Sequence, residues 1–273
     1  QASIEGAILV AIAGELPSTA LDASVRRTLA RADVLALSEN GCLRLADPMH
    51  REILRSRCPE VLWNELTREA FQVLTSELAS GLPQAKQQAN LLALDIGEPV
   101  DVPVAIEIAS KAIGSFNERL ALRAARAVIA QSPHHVEAHR IAGVAASILR
   151  MPDIAEAFFE NAYEHANSDR EHTDVALDHA RHFGLRRHDP VRALAIIDEA
   201  VNCIECPISV AHLKRAQTRW LAVAGIGGDV ESAPQTLVDA TSAMGLITVG
   251  VAGVITGPLV EAYRMLAKLQ SAP

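Results

Sequence analysis

Histidine and carboxylate side chains bind metals and move protons. In this chain they are densest in "DREHTDVALDHARHFGLRRHD", residues 169–189. His179 and His182 stand three residues apart with Asp178 adjacent, so on a helix two or three donors would share one face. Neutral imidazole and carboxylate at that spacing suit zinc or a similar divalent ion. A zinc site also needs ligands from a second element, and no second cluster follows. The favoured reading is a solvated polar face opposite a buried stripe of Ala176, Leu177, Ala180 and Phe183. No resident metal is expected, and His179 and His182 stand only as candidates.

Cys203-Ile204-Glu205-Cys206 is a C-x-x-C. A structural zinc would need a second such pair, and a redox dithiol would open a helix after a strand. Here Pro207 follows at once, so the motif closes one helix before the next, and packed thiols are expected. No G-x-S-x-G occurs, and no set of nucleophile, base and orienting residue is evident. The chain is therefore read as a binding module, without a catalytic residue or cofactor of its own.

The first 80 residues carry the signs of a small mixed module. An apolar segment over 3–16 predicts a helix ended by Pro17. Ser18 is a candidate N-cap for a second helix to about Arg31, with Leu21, Val25 and Leu29 four residues apart. "VLAL" and "CLRLA" flank "SENG", and Asn40-Gly41 signals a hairpin. Pro48 then suits the start of a helix to about Arg57. Helix, helix, two-stranded wing, helix is a winged-helix-like order over residues 1–80.

From Gln84 onward only helical segments are expected, broken near Gly97–Pro103, Gly114–Ser115, Ser132–Pro133, Met151–Pro152, Asn167–Asp169, His188–Pro190, Cys206–Pro207 and Gly225–Asp229. They contain a repeat. Gly143 is followed by Ala155, Phe159 and Ala162, which matches the tetratricopeptide pattern of small residues at a helix crossing and an aromatic filling the gap. Ala193, Ile197 and Ala200 repeat its second half, as do Ala105, Ala109 and Ala112. Matching alanines lie 50 and 38 residues apart, so residues 84–273 read as an irregular tetratricopeptide-like array. The fold class expected is mainly α.

Hydrophobic residues make up 49% of the 273 and aromatics 3%, a composition of close-packed alanine-rich helices. The net charge of −8 argues against a nucleic-acid footprint. Residues 1–60 themselves balance seven arginines against eight carboxylates, which points to a protein-facing module. Four cysteines and a first segment with Glu5 and no basic flank fit a reducing cytoplasm. Residues 240–260 are uncharged, but four glycines and Pro258 interrupt them, so a buried helical pair is favoured over a membrane span. The first residue is Gln rather than Met, which suggests a processed or excised piece.

The order of these parts, with Arg44-Leu45, Asp47-Pro48-Met49, Arg51-Glu52 and Pro59, resembles the middle of LuxR-type transcriptional regulators of the signal-transduction ATPase class, the MalT-like activators. The resemblance implies an ATPase core before this region, a DNA-binding domain after it, and ATP or ADP as cofactor of the whole protein. No G-x-x-x-x-G-K-[S/T] occurs within the chain. The partners implied are a protein, peptide or small-molecule inducer in the repeat groove and the protein's own ATPase domain, with DNA bound only elsewhere. Asp47 replaces the family's nucleotide-sensing histidine. A carboxylate repels phosphate, so either ADP is held differently or nucleotide control is weakened.

Overall fold

The computed structural model describes residues 1–76 and 84–224. The chain is mainly helical and divides into two compact units. The first is Gln1–Ser115 with Arg123–Gln131. The second takes Phe116–Leu122 and the chain from Ser132 onward.

The first unit is built around α1 (Ala2–Ala13), whose residues Gly6 to Ala13 are all buried. A helix that is apolar all round has no face to offer water, so it becomes the centre of the core. It ends earlier than its apolar pattern predicts, because Gly14 takes a left-handed φ of 78°. Glu15–Leu16 then form a strand, β1, where the hydrophobic run had predicted more helix. Ser18 does not cap a helix. Ser18–Ala20 make a 3-10 turn, and α2 (Ala23–Arg31) begins after Asp22.

The hairpin is present as β2 (Leu35–Leu37) and β3 (Leu43–Leu45). Its loop closes through the Ser38 N–H to Cys42 O (2.7 Å) and the Gly41 N–H to Ser38 O (2.9 Å), with Gly41 at φ 73°. β1 joins the far edge, giving an antiparallel sheet in the order β1-β3-β2 with Glu15 opposite Arg44 and Leu35 opposite Leu45. Among the described residues all strands lie in this sheet.

Four helices follow: α3 (Met49–Arg57), α4 (Glu60–Thr75), α5 (Ala85–Ile96) and α6 (Val102–Gly114). Ile8, Ile12, Leu16, Leu29, Leu43, Leu66, Leu74 and Leu92 share one core, so α5 belongs to the packing of α1, α4 and the sheet. Buried Asn90 fixes the α5–α6 turn by accepting the Asp101 N–H (2.8 Å), and Asp101 in turn caps α6 at the Val104 N–H (3.2 Å).

α7 (Glu118–Gln131) contributes residues to each unit. The second unit continues with α8 (Val136–Ile148), α9 (Pro152–His165), α10 (Asp169–His182), a π-helical turn (Phe183–Arg187), α11 (Pro190–Cys203) and α12 (Pro207–Ala224). Proline sits in the first turns of α9 and α11, where a missing N–H leaves no bond unmade. Ser168 and Glu171 cap α10: the Glu171 N–H donates to Ser168 Oγ (3.2 Å), and the Asn167 N–H donates to the Glu171 carboxylate (2.9 Å). That backbone bond holds the Glu171 carboxyl below its ordinary range. No described helix is long and apolar enough to cross a membrane. Residues 240–260 and the break at Gly225–Asp229 lie outside the described residues.

Candidate functional site

Asp47 stands between the sheet and α3. Its Oδ1 accepts the Met49 N–H (2.8 Å) and its carbonyl accepts the His50 N–H (3.1 Å). Pro48 has no N–H to give, so the aspartate caps the helix from one residue further back. The carboxylate at the candidate nucleotide-sensing position therefore holds a local structural bond.

In the second unit α8 and α9 form an antiparallel pair, and the repeat residues lie where they cross. Ala155, Phe159 and Ala162 are fully buried on α9. A methyl group built on Gly143 of α8 would stand 2.8 Å from Phe159 Cε1, so the ring occupies the space that a side chain would take. Ala193, Ile197 and Ala200 are fully buried on α11. They pack in one cluster with Ala176, Ala180, Leu213 and Trp220 from α10 and α12. A second close approach joins Gly184 of the π-turn to the Trp220 ring. In the first unit Ala105, Ala109 and Ala112 are likewise buried on α6.

The histidines are not a solvated face. His182 is 2% exposed and Asp178 8% exposed, while His172 and His179 are half-buried and, of this group, only His188 is exposed. The apolar stripe of α10 is wider than Ala176 and Ala180 alone, because neighbouring helices supply polar partners. His182 Nδ1 lies 2.8 Å from the hydroxyl of buried Ser147 on α8. Its Nε2 has no hydrogen-bond partner and faces Glu156 Oε1 of α9 at 3.6 Å. Arg187, at the end of the π-turn, closes the chain with bonds to Glu156 Oε1 (2.6 Å) and Asp153 Oδ1 (2.5 Å). His179 stacks on Phe159, ring centres 5.1 Å apart, and meets Phe183 at a tilt, centres 5.2 Å apart.

Burial lowers the His179 pKa to about 4, assisted by His182 and opposed by Glu156. Burial also lowers that of His182, against the pull of Glu156. Both rings are therefore neutral near pH 7. Ser147, His182 and Glu156 are the residue types of an acyl-transfer chain, but serine meets Nδ1 and both serine and imidazole are sealed from solvent. The arrangement links α8, α9 and α10. No three metal-ligating side chains converge among the described residues.

A second link joins α8 to α10. Arg140 bonds Asp178 and takes Glu137 Oε1 at 2.7 Å, and Asp178 also receives Arg181 (2.6 Å). The hydrogen bonds to Glu137 are the first cause of a raised Arg140 pKa, with Asp178 adding to them. Ser147, Glu156 and Arg140 carry no motif. They lie 35, 31 and 38 residues from His182, Arg187 and Asp178, the groups they meet, so helix packing alone brings them together.

The C-x-x-C spans the α11–α12 turn, with Cys203 exposed and Cys206 half-buried, so Cys203 is not the packed thiol expected. The Cys206 N–H donates to Asp169 Oδ2 (2.7 Å). Hydrogen bonds from Ser209 and Ile208 at the start of α12 lower the Cys206 thiol pKa. No protein-family model and no curated protein matches this chain.

Proposed function

We propose that the chain is the partner- or inducer-sensing middle region of a LuxR-type transcriptional regulator, a winged-helix module followed by tetratricopeptide-like helical hairpins. It acts by binding, and cytoplasmic ATPase and DNA-binding parts act beside it. The observation that supports this most is the first unit's order of elements: helix, strand, helix, hairpin, helix, with β1 joining the sheet beside β3. The Gly143–Phe159 crossing supports the repeat part of the reading, since the glycine and the ring meet where the spacing predicts. A stack of such hairpins presents a concave surface, and an inducer bound there shifts a closed state to an open one only by preferring the open one.

A second reading is a stand-alone scaffold, and Asp47 favours it, because its carboxylate caps α3 in place of a phosphate donor. The test is the intact mass of the native gene product, purified from source cells with an antibody to this region. A species far heavier than 29.2 kDa that carries a nucleotide supports the regulator. A native species of this size removes both missing parts and leaves the scaffold.

A further inference from the structure

The first unit holds a cavity of about 350 Å³, bounded by the end of α1, by β1 and β3, and by α3, α4 and α5. That volume falls within the range of small-molecule sites, about 300–1,000 Å³. Its floor is apolar and includes Val10, Leu74 and Ala85, all buried. Its rim carries two cations from different elements, Arg44 on β3 and Arg51 on α3. Arg55, Arg123, Arg140, Arg181 and Arg187 all form ion pairs. Neither rim guanidinium has such a partner among the described residues. Glu15, the one rim carboxylate among the described residues, stands across the β1–β3 register from Arg44 without forming an ion pair to it.

Among the described residues two guanidinium groups against one carboxylate leave a single positive charge, which matches a monoanion better than a dianion. Guanidinium groups offer planar pairs of N–H donors that fit a carboxylate. Gln84 and Gln88 also line the cavity, the Gln88 Nε2 donating to Ile12 O (2.9 Å). Val10, Leu74 and Ala85 offer no side-chain hydrogen bond, so the part of a ligand laid on them must be apolar.

We propose that this cavity binds a small monocarboxylate with a short aliphatic tail, its head held by Arg44 and Arg51 and its tail laid on the Val10–Leu74–Ala85 floor. The binding step stands whether the chain works as a regulator or as a scaffold.

The test is titration calorimetry of the whole chain at pH 7 with straight-chain carboxylates from propionate to octanoate. Hexan-1-ol and inorganic phosphate serve as comparators. The expected result is saturable binding that tightens with tail length until the cavity is full, and at least about tenfold weaker binding of the alcohol and of phosphate. Arg44→Ala and Arg51→Ala should each weaken binding about tenfold, with Arg51→Lys intermediate because the charge survives and the fork does not. Both arginines are exposed, and thermal melts of the variants verify the fold. No binding across the series overturns the proposal. So does affinity unchanged in both alanine variants, or phosphate binding as tightly as the best carboxylate.

Discussion

At the scale of single residues, the Gly143–Phe159 contact sets two effects against each other. Alanine at a helix interior is better than glycine by up to about 1 kcal/mol. The added methyl would meet the ring at 2.8 Å, and overpacking a filled core costs about 1–3 kcal/mol. Gly143→Ala should therefore lose roughly 1–2 kcal/mol in urea unfolding. The same change in a Phe159→Leu background should be neutral or slightly stabilising, and a double-mutant cycle with no coupling would show that the contact is slack. Asp47 makes a smaller prediction. Asp47→Ala removes the bond to the Met49 N–H and should lower stability by about 1 kcal/mol, while Asp47→Asn keeps most of it. Equal losses in the two variants would mean that the charge rather than the cap matters.

At the scale of elements, α10 is held by polar links that respond to acid. The ordinary histidine pKa is 6.5, and burial places that of His179 at about 4 in the fold, with His182 also lowered. The unfolded chain thus takes up protons first as pH falls. The stabilisation is complete above about pH 6.5 and is lost progressively toward pH 4. For half-buried His179 the loss is on the order of 2 kcal/mol. Urea midpoints measured from pH 7.5 to 4 should fall over that window, and His179→Gln should flatten the fall. A profile that His179→Gln leaves unchanged would assign the acid sensitivity elsewhere. Asp178→Ala breaks the α8–α10 link but leaves Arg140 its two bonds to Glu137, and should cost about 1–2 kcal/mol, less than an uncompensated buried charge because Arg140 stays paired and keeps 25% of its side-chain exposure.

The elements themselves were largely legible. Pro152, Pro190 and Pro207 stand at the starts of α9, α11 and α12, and Asn40-Gly41 sits in the hairpin turn, because these residues act on their own backbone. β1 was not legible: two residues carry no period, and its partner is 29 positions away in the register Glu15–Arg44. Nor was the burial of His182, since a lone histidine becomes tolerable inside only when Ser147 arrives from another helix. Composition cannot announce a partner that packing supplies.

At the scale of the whole molecule, two compact units mean that damage should stay local. Ile8, Leu43 and Leu66 belong to the first core, and Ile197, Leu213 and Trp220 to one in the second unit. Hydrogen exchange of Gly143→Ala should rise in α8 to α10 while α1 and the sheet keep their protection. A uniform rise throughout would mean that the chain unfolds as one. The proposed roles divide in the same way, with a small-molecule cavity argued within the first unit and a partner surface within the second.

Position 143 also has a genetic consequence. Glycine is written by four codons that share their first two bases, and any coding change at either of those bases yields a residue with a β-carbon. Every one-base substitution that alters Gly143 and still encodes a residue therefore drives an atom toward the Phe159 ring. In a saturating mutant pool grown under selection for the folded protein, this site should retain silent third-base changes, lose alanine in part and lose the larger residues most, unless position 159 shrinks in the same molecule.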